Sequence, residues 1–210
     1  GMHPSLNHPG QLAEKMAESM KDGLCGKGIL PMIPTYLSND GVIPMDKPAV
    51  IIDAGGTNFR CGLVTFKGDS FVAEKITKQK MPGIDKPATW EEFISFVADN
   101  IEDLMPYTDK IGFCFSYSAD ITEDIDGRVI RIDKEVVVTG SEGKLVGLSL
   151  SAELARRGYP GKRVIILNDT AAVLIGGSST LVKDAYDDFI GQVSGTGTNT
   201  CCILPMNKID

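Results

Sequence analysis

Histidine is nearly absent from this sequence, and the absence limits its chemistry. The 210 residues include two histidines, His3 and His8, and both lie in a polar stretch at the start. A general base in the folded body of the chain therefore has to be a carboxylate, a lysine, a tyrosine or a thiolate.

Cysteine and long apolar runs are sparse as well. None of the five cysteines forms a Cys-x-x-Cys pair, so their spacing does not suggest a zinc site. Cys61, Cys114 and Cys201 lie in apolar, strand-like surroundings, which favours reduced thiols and a cytoplasmic location. No apolar run approaches the ~20 residues of a membrane-spanning helix, so we expect no membrane partner.

Positive charge is in deficit. Asp and Glu together number 28 against 21 Lys and Arg, giving a net charge of −7. Nucleic-acid binding needs a basic surface, so we expect no nucleic-acid partner. A phosphate ligand would have to be bound by local donors rather than by the field of the whole protein.

The most informative stretch is an apolar strand followed by two glycines. Residues 50–52 are β-branched and predict a buried strand, and residues 59–66 predict a second strand paired with it. Gly55 and Gly56 then form the tip of a hairpin. Glycine lets backbone N–H groups approach a ligand that a Cβ would keep away.

Three polar side chains surround this tip. Thr57 adds a hydroxyl, and Arg60 adds a cation on the returning strand. A carboxylate beside a phosphate is repulsive unless a cation lies between them, so Asp53 predicts an indirectly held Mg²⁺. The alternative is a Gly-Gly hairpin with no ligand.

Hydrophobic periodicity predicts an α/β domain with a mixed sheet flanked by helices. The predicted helices cover residues 11–21, 89–105, 148–157 and 170–175. Thr89 and Glu92 form a capping box for the second helix, and Pro106 is expected to stop it. Two prolines predict an extended segment at 30–36. Further strands are predicted at residues 71–80, 111–115, 129–132, 136–139, 164–167, 189–193 and 200–204.

Asn168 and Asp169 directly follow the predicted strand at 164–167. Ligands of open α/β sheets bind beyond the carboxyl ends of the strands, so this position favours a site. A helix N-cap is the alternative interpretation. Asp169 is the strongest candidate base. A carboxylate is a weak base, but phosphoryl transfer depends more on positioning and charge neutralisation than on early proton transfer.

Together these motifs resemble the hexokinase family of the actin-like ATPase superfamily. The run Asp-Ala-Gly-Gly-Thr-Asn-Phe-Arg at 53–60 is similar to its first phosphate-binding hairpin. Gly-Thr-Gly-Thr-Asn at 195–199 is similar to its second, and Asn-Asp-Thr at 168–170 to its catalytic motif. The resemblance implies ribonuclease-H-like domains that bind a nucleotide in the cleft between them, with ATP and Mg²⁺ as cofactors.

The resemblance also implies a role for individual residues. Asp169 would accept the proton of the sugar 6-hydroxyl. The hexose, for which we expect glucose, would contact Ser116, Lys134, Asn168 and Asn199. The phosphates of ATP would contact Asp53, Gly55, Gly56, Thr57, Asn58, Arg60, Thr196 and Gly197.

Two segments depart from the family pattern. Tyr117-Ser118 stands where the family's Phe-Ser-Phe-Pro segment has Phe-Pro, and Asp133 replaces the threonine of its Thr-Lys-Gly-Phe motif. A structural role for Ser116 and a solvated Lys134 therefore stay open as alternatives. So does the identity of the sugar.

The resemblance divides the chain into four parts. Residues 1–10 would be a tag remnant and leader, 11–46 a helix and extended linker, 47–188 the small domain, and 189–210 the first hairpin of a truncated large domain. We expect a portion of an ATP-dependent hexose kinase that is inactive by itself. The alternatives are a repressor-type bacterial sugar kinase, a catalytically silent sugar-binding or regulatory protein, and an α/β domain whose glycine turns bind nothing.

Overall fold

The computed structural model of the protein describes residues 8–30, 32–37, 42–68, 70–132, 135–180, 188–194 and 198–204. The helices are α1 Pro9–Leu24, α2 Trp90–Ile101, α3 Val146–Arg156 and α4 Asp169–Thr180, with a 3-10 helix at Glu102–Tyr107. The strands are β1 Pro48–Ala54, β2 Asn58–Lys67, β3 Ser70–Lys80, β4 Ala88–Thr89, β5 Lys110–Phe115, β6 Ser118–Ile121, β7 Gly127–Arg131, β8 Val138–Thr139, β9 Arg163–Leu167, β10 Ile190–Ser194 and β11 Thr198–Cys202.

The chain divides into a smaller unit, Gly1–Pro34 with Ile203–Asp210, and a larger unit, Thr35–Cys202. Helix α1 belongs to the smaller unit. The spacing of Leu12, Met16 and Met20 predicts this helix at 11–21, and the observed helix of 16 residues extends beyond that range at both ends. None of its residues is buried, and Leu12 is 60% exposed. No described helix is both long and apolar enough to cross a membrane.

The larger unit is built on a five-stranded mixed sheet. Its strand order is β3-β2-β1-β5-β9. Strands β1, β5 and β9 are parallel, whereas β2 and β3 join them as antiparallel neighbours. The predicted α/β class with a mixed sheet is therefore confirmed. The parallel strands all end at one edge of the sheet, which we call the carboxyl edge.

One face of this sheet carries the hydrophobic core. Alternate residues of β1 point into it, as the period-two geometry of a strand requires: Val50, Ile52 and Ala54 are fully buried. Helices α2 and α3 cover this face with Phe93, Val97, Ile101, Leu150 and Leu154, and the strands add Phe59, Phe113, Phe115 and Ile166. Each large apolar side chain buried in this way contributes about 1.5–3 kcal/mol.

Helix α2 begins as its sequence predicts and ends earlier. The Thr89 hydroxyl accepts from the Glu92 N–H at 3.1 Å, and the Glu92 carboxylate accepts from the Thr89 N–H at 2.8 Å. The predicted capping box is confirmed. The α-helix ends at Ile101, however, and Pro106 lies inside the 3-10 helix that follows. A proline lacks an N–H and its ring clashes with the carbonyl four residues earlier, so an α-helix does not continue regularly through this position.

Helix α3 begins two residues before the predicted start, at Val146, and its cap comes from elsewhere in the chain. Its N-cap residue, Leu145, has no side-chain hydrogen bond to offer. The Asp126 carboxylate instead accepts from the Gly147 N–H at 2.6 Å and the Leu148 N–H at 2.9 Å. A negative charge at a helix N-terminus is favourable, because the unpaired N–H groups there carry partial positive charge.

Several local expectations need correction. Strand β8 is shorter than the predicted 136–139, and β4 and β6 were not predicted. The segment at 30–36 has neither helix nor strand among its described residues, but Met32 and Tyr36 have positive φ, so it is not extended throughout. The five cysteines, all of them described residues, form no disulfide with one another, although Cys25 is exposed rather than part of the core.

Arg157 joins the ends of α2 and α3. Its side chain is 12% exposed and donates to Glu153 at 2.7 Å, Asp99 at 2.5 Å and Glu102 at 3.0 Å. Two further bonds go to the backbone and hydroxyl oxygens of Ser95. These acidic partners raise the pKa of Arg157, foremost through its hydrogen bond to Glu153. The guanidinium thus links three acidic side chains across the helix pair.

Acid should weaken this helix pair. Hydrogen bonds from Arg156 and Arg157 lower the pKa of Glu153 from 4.5 to about 2. Because the pKa is lower in the folded chain, the stabilisation is complete above pH 4.5 and is lost as the pH falls towards 2. Arg156 is 71% exposed and its ion pair is screened. We therefore expect about 1–2 kcal/mol, less than the full shift would give.

Urea unfolding measured between about pH 5 and about pH 2 checks this expectation. The Glu153→Gln variant should lack that part of the pH dependence, because it has no carboxyl group to protonate at this position. Parallel pH profiles for the wild type and the variant would contradict the assignment.

Candidate functional site

The ends of three neighbouring strands bring the predicted site residues to the carboxyl edge. Asp53 is the next-to-last residue of β1, Ser116 directly follows β5, and Asn168 directly follows β9. Asp53 is in register with Cys114 of β5, which is in register with Leu167 of β9. Adjacent strands lie about 4.8 Å apart, so the backbones of β1 and β9 are about 10 Å apart at this level.

The first hairpin, formed by β1 and β2, has a compact tip. The Gly55 N–H donates to the Asn58 carbonyl at 3.0 Å, and the Thr57 carbonyl accepts from the Met81 N–H at 3.1 Å. The Asn58 amide donates to the Thr57 hydroxyl at 2.9 Å. A Cβ added to Gly55 would meet only the Asn58 oxygen, at 3.5 Å, which is an ordinary contact. Packing within the hairpin therefore does not itself require glycine at this position.

Asp53 and Arg60 form an ion pair across the first hairpin. Arg60 Nη1 lies 2.8 Å from Asp53 Oδ2, and the two side chains are 50% and 37% exposed. The antiparallel register places them directly opposite each other. The two residues that the sequence assigns separately to phosphate and to Mg²⁺ are thus paired with each other in this structure.

Ser116 lies beside the first hairpin. Its N–H donates to the Ala54 carbonyl at 3.2 Å, which continues the pairing of β5 with β1 by one residue. Its hydroxyl lies 3.9 Å from the Cys114 thiol. The serine is partly buried, so its position is fixed by the end of the sheet.

Asn168 and Asn199 belong to one hydrogen-bond network. The Asn168 Oδ1 accepts from the Asn199 Nδ2 at 3.0 Å, from the Thr170 hydroxyl at 2.6 Å and from the Thr170 N–H at 3.1 Å. These donors fix the orientation of the Asn168 amide. Through its contact with the Thr170 N–H, Asn168 is also the N-cap of α4. The N-cap interpretation of this motif therefore applies as well.

Asp169 is the first residue of α4 and is partly buried. Its Oδ1 accepts from the Thr170 N–H at 2.8 Å. Within the described part of the chain, Oδ2 has no hydrogen-bond partner. The contact at Oδ1 restrains the carboxylate at the carboxyl edge of the sheet.

Strands β10 and β11 form the predicted second hairpin, with Ser194 paired to Thr198. Its backbone lies against α4 at Gly191, where an added Cβ would be 2.7 Å from the Thr170 carbonyl oxygen and 2.8 Å from the Leu174 Cβ. Only glycine permits this approach. The contact positions Asn199 beside Asn168.

Some predicted site residues lie outside the described residues: Lys134, Thr196 and Gly197. Their roles stay predictions.

Burial raises the pKa of the Cys61, Cys201 and Cys202 thiols, so these three are protonated near neutral pH and do not compete with Asp169 as bases.

The donor set at the first hairpin fits a magnesium ion held mainly by other groups. No cluster of three or more His, Cys, Asp or Glu side chains suited to a metal occurs among the described residues. Asp53 offers one partly exposed carboxylate. Mg²⁺ keeps several waters and is bound in nucleotide sites by one or two carboxylates together with phosphate oxygens, so a single carboxylate fits.

Tyr117 has a contact that the sequence did not predict, where it stands only as a departure from the family pattern. Tyr117 is 4% exposed, and its hydroxyl donates to the Gly55 carbonyl at 2.7 Å. Tyrosine in place of the family's phenylalanine was the available signal in the sequence, because a hydroxyl added to a buried ring needs a hydrogen-bond partner.

Comparisons with known proteins establish the family. The Hexokinase family profile matches residues 4–179, and the chain therefore belongs to the hexokinase family. It is 29% identical to hexokinase-1 of Schizosaccharomyces pombe, covering 95% of this chain and 42% of that protein. It is 30% identical to glucokinase-1 of Saccharomyces cerevisiae, covering 86% of this chain and 41% of that protein. The chain thus spans less than half the length of these relatives.

Solved structures agree with this assignment. The hexokinase of Schistosoma mansoni in complex with glucose superposes with a TM-score of 0.74 at 27% identity, covering 94% of this chain and 46% of that one. A polyphosphate/ATP-glucomannokinase from Arthrobacter superposes with a TM-score of 0.54 at 21% identity, covering 75% of this chain and 58% of that one, a likeness of fold alone. The actin-like ATPase fold is confirmed.

Proposed function

We propose that this chain is the sugar-binding N-terminal portion of an ATP-dependent hexose kinase that phosphorylates the 6-hydroxyl. The observation that supports this most is that Asp53, Ser116 and Asp169 lie at or just beyond the ends of three neighbouring parallel strands, all on the carboxyl edge. A phosphate-binding hairpin, a hydroxyl and a carboxylate at this spacing suit a sugar that lies between a base and a nucleotide.

The hexose, with glucose as our expected substrate, would bind beside β5 and β9. Ser116 and Asn168 follow these strands directly, and the Asn199 amide donates a hydrogen bond to the Asn168 Oδ1 at 3.0 Å. Amide and hydroxyl groups fixed in this way can donate to and accept from sugar hydroxyls without reorganising. We assign Lys134 to the same site on the resemblance of its motif.

The phosphates of ATP would lie against both hairpins. Gly55, Gly56, Thr57 and Asn58 form the tip of the first, and Thr196 and Gly197 belong to the second. The absence of a steric need for glycine at Gly55 supports this role, because a ligand is then a reason for the missing side chain. Arg60 would turn from Asp53 to the phosphates.

Mg²⁺ would neutralise phosphate charge when bound, with Asp53 holding it indirectly. Asp169 would orient the sugar 6-hydroxyl and accept its proton. Its Oδ1 is engaged by the Thr170 N–H at 2.8 Å, so the carboxylate cannot rotate freely and presents Oδ2. Positioning of this kind is what phosphoryl transfer asks of the protein.

We further propose the domain division given by the resemblance: leader 1–10, helix and linker 11–46, small domain 47–188, and 189–210 as the opening of a large domain. The two domains would close on the sugar and exclude water that could otherwise accept the phosphoryl group. We expect a cytoplasmic enzyme, and we expect the 210-residue chain alone to be inactive.

A catalytically silent sugar-binding protein is the second candidate, because Tyr117, Ser118 and Asp133 depart from the family pattern at the sugar segments. Full-length protein containing this chain, assayed with Mg-ATP and a panel of hexoses, separates the two. Formation of a 6-phosphate from any hexose supports the kinase and rejects the silent protein. Hexose binding by calorimetry without turnover of any hexose would reject the kinase.

A further inference from the structure

Tyr117 connects the predicted sugar segment to the predicted phosphate hairpin. It directly follows Ser116, and its ring packs against Phe115 with centroids 5.1 Å apart. The residue is 4% exposed, and its hydroxyl donates to the Gly55 carbonyl at 2.7 Å. A hydrogen bond of ordinary O–H···O length from a buried, rigid aromatic side chain restrains the orientation of its acceptor.

The acceptor belongs to a peptide plane whose flanking φ and ψ torsions otherwise turn easily. Gly55 and Gly56 have no side chains, so their torsions are restrained less than those of any other pair of residues. The Gly55 N–H is already bonded to Asn58, at 3.0 Å. The next peptide unit, from Gly55 C=O to Gly56 N–H, is the part of the tip that Tyr117 reaches.

Because a peptide unit is planar, the hydrogen bond from Tyr117 to the Gly55 carbonyl also fixes the direction of the Gly56 N–H. The Gly55 C=O and the Gly56 N–H share one planar trans unit, in which the two bonds point in opposite directions. The carbonyl points to the buried Tyr117 hydroxyl, so the Gly56 N–H points away from it. Among the described residues the Gly56 N–H donates no hydrogen bond, which leaves it as a donor for an anion.

We propose that Tyr117 is a positioning residue that holds the Gly55–Gly56 peptide with its N–H directed at a nucleotide phosphate. This inference rests on the proposed function for the identity of the anion. The family pattern has phenylalanine at this position, which lacks the hydroxyl, so the device belongs to this chain. Without the hydroxyl, the peptide would rotate among several orientations and present its donor only part of the time.

The test is Tyr117→Phe in the full-length protein, with Tyr107→Phe as a matched control. Tyr107 is 51% exposed and lies in the 3-10 helix that precedes β5, so its hydroxyl is far from the carboxyl edge along the strand. The loss of one hydrogen bond should raise the KM for ATP about 3–10-fold in Tyr117→Phe and leave that of Tyr107→Phe unchanged.

Three further measurements separate positioning from a general structural role. Competition by inorganic tripolyphosphate should weaken by the same factor as ATP, whereas competition by adenosine and the KM for the hexose should be unchanged. A KM for ATP equal to that of the wild type would overturn the inference. So would a parallel rise in both KM values, which would indicate a general disturbance of the carboxyl edge.

Failure of the proposed function is distinguishable from failure of this inference. If the wild type shows no turnover with any hexose, calorimetric titration with tripolyphosphate replaces the kinetic comparison. Weaker binding of tripolyphosphate by Tyr117→Phe than by Tyr107→Phe would support the anion-directing role without the kinase. Equal binding by the two variants, or none by either, would overturn it.

Discussion

Asp169→Asn should reduce turnover of the full-length enzyme by about 10²–10⁴-fold, because an amide cannot accept the proton of the sugar hydroxyl. The substitution keeps an oxygen at the position that accepts the Thr170 N–H at 2.8 Å, so α4 should begin at the same residue. Hexose binding should persist, since Ser116, Asn168 and Asn199 are unchanged. The measurement is steady-state phosphorylation with Mg-ATP, together with calorimetric binding of the hexose.

The matched control is Asp103→Asn, which removes one negative charge at an exposed position in the 3-10 helix. This residue precedes β5 and lies at the opposite end of the strand from the carboxyl edge, so turnover should be normal. If Asp169→Asn retains turnover within about tenfold of the wild type, general-base catalysis by this residue is ruled out.

Arg157→Met should destabilise the fold by about 2–4 kcal/mol, the largest effect on stability that we expect from a polar side chain here. Methionine fills similar space but leaves Asp99, Glu102 and Glu153 without their shared cation. Removal of one partner from a buried ion pair usually costs 3–5 kcal/mol. We expect somewhat less, because Asp99 and Glu102 are 63% and 38% exposed and can regain water.

The neighbouring arginine supplies the control. Arg156 also binds Glu153, at 2.7 Å, but its side chain is 71% exposed. Arg156→Met should cost less than about 1 kcal/mol, as exposed ion pairs do. Urea unfolding at neutral pH measures both variants, and hydrogen exchange should report the opening of α2 and α3. Equal losses for the two variants would show that burial does not decide the contribution of these arginines.

Much of the fold follows from local patterns in the sequence. The capping box at Thr89 and Glu92 predicts the start of α2, because both bonds form between residues three apart. The β-branched run at 50–52 predicts β1 as a buried strand, and Val50 and Ile52 are fully buried while Ile51 is 42% exposed. The end of α2 was less predictable: Pro106 limits the α-helix, but a 3-10 helix after Ile101 satisfies the backbone before the proline is reached.

Local sequence patterns could not predict the contacts between residues that lie far apart in the chain. Asp126 caps α3 from about twenty residues away, so no local capping residue marks the start of that helix. The Asp53–Arg60 pair is foreseeable from the hairpin register, yet the sequence gives no reason to prefer pairing over separate ligands. The bond from Tyr117 to Gly55 joins two motifs that the sequence presents as independent.

The close approach of β10 to α4 at Gly191 bears on how the proposed cleft would shut. Residue 191 has no side chain, so the strand backbone lies directly against the Thr170 carbonyl. No side chain at this residue can change its conformation to let strand and helix shift. If the proposed domains close, we expect this contact, which has no side chain to compress, to keep its geometry. We then expect Asn199 to keep its 3.0 Å hydrogen bond to Asn168 during closure.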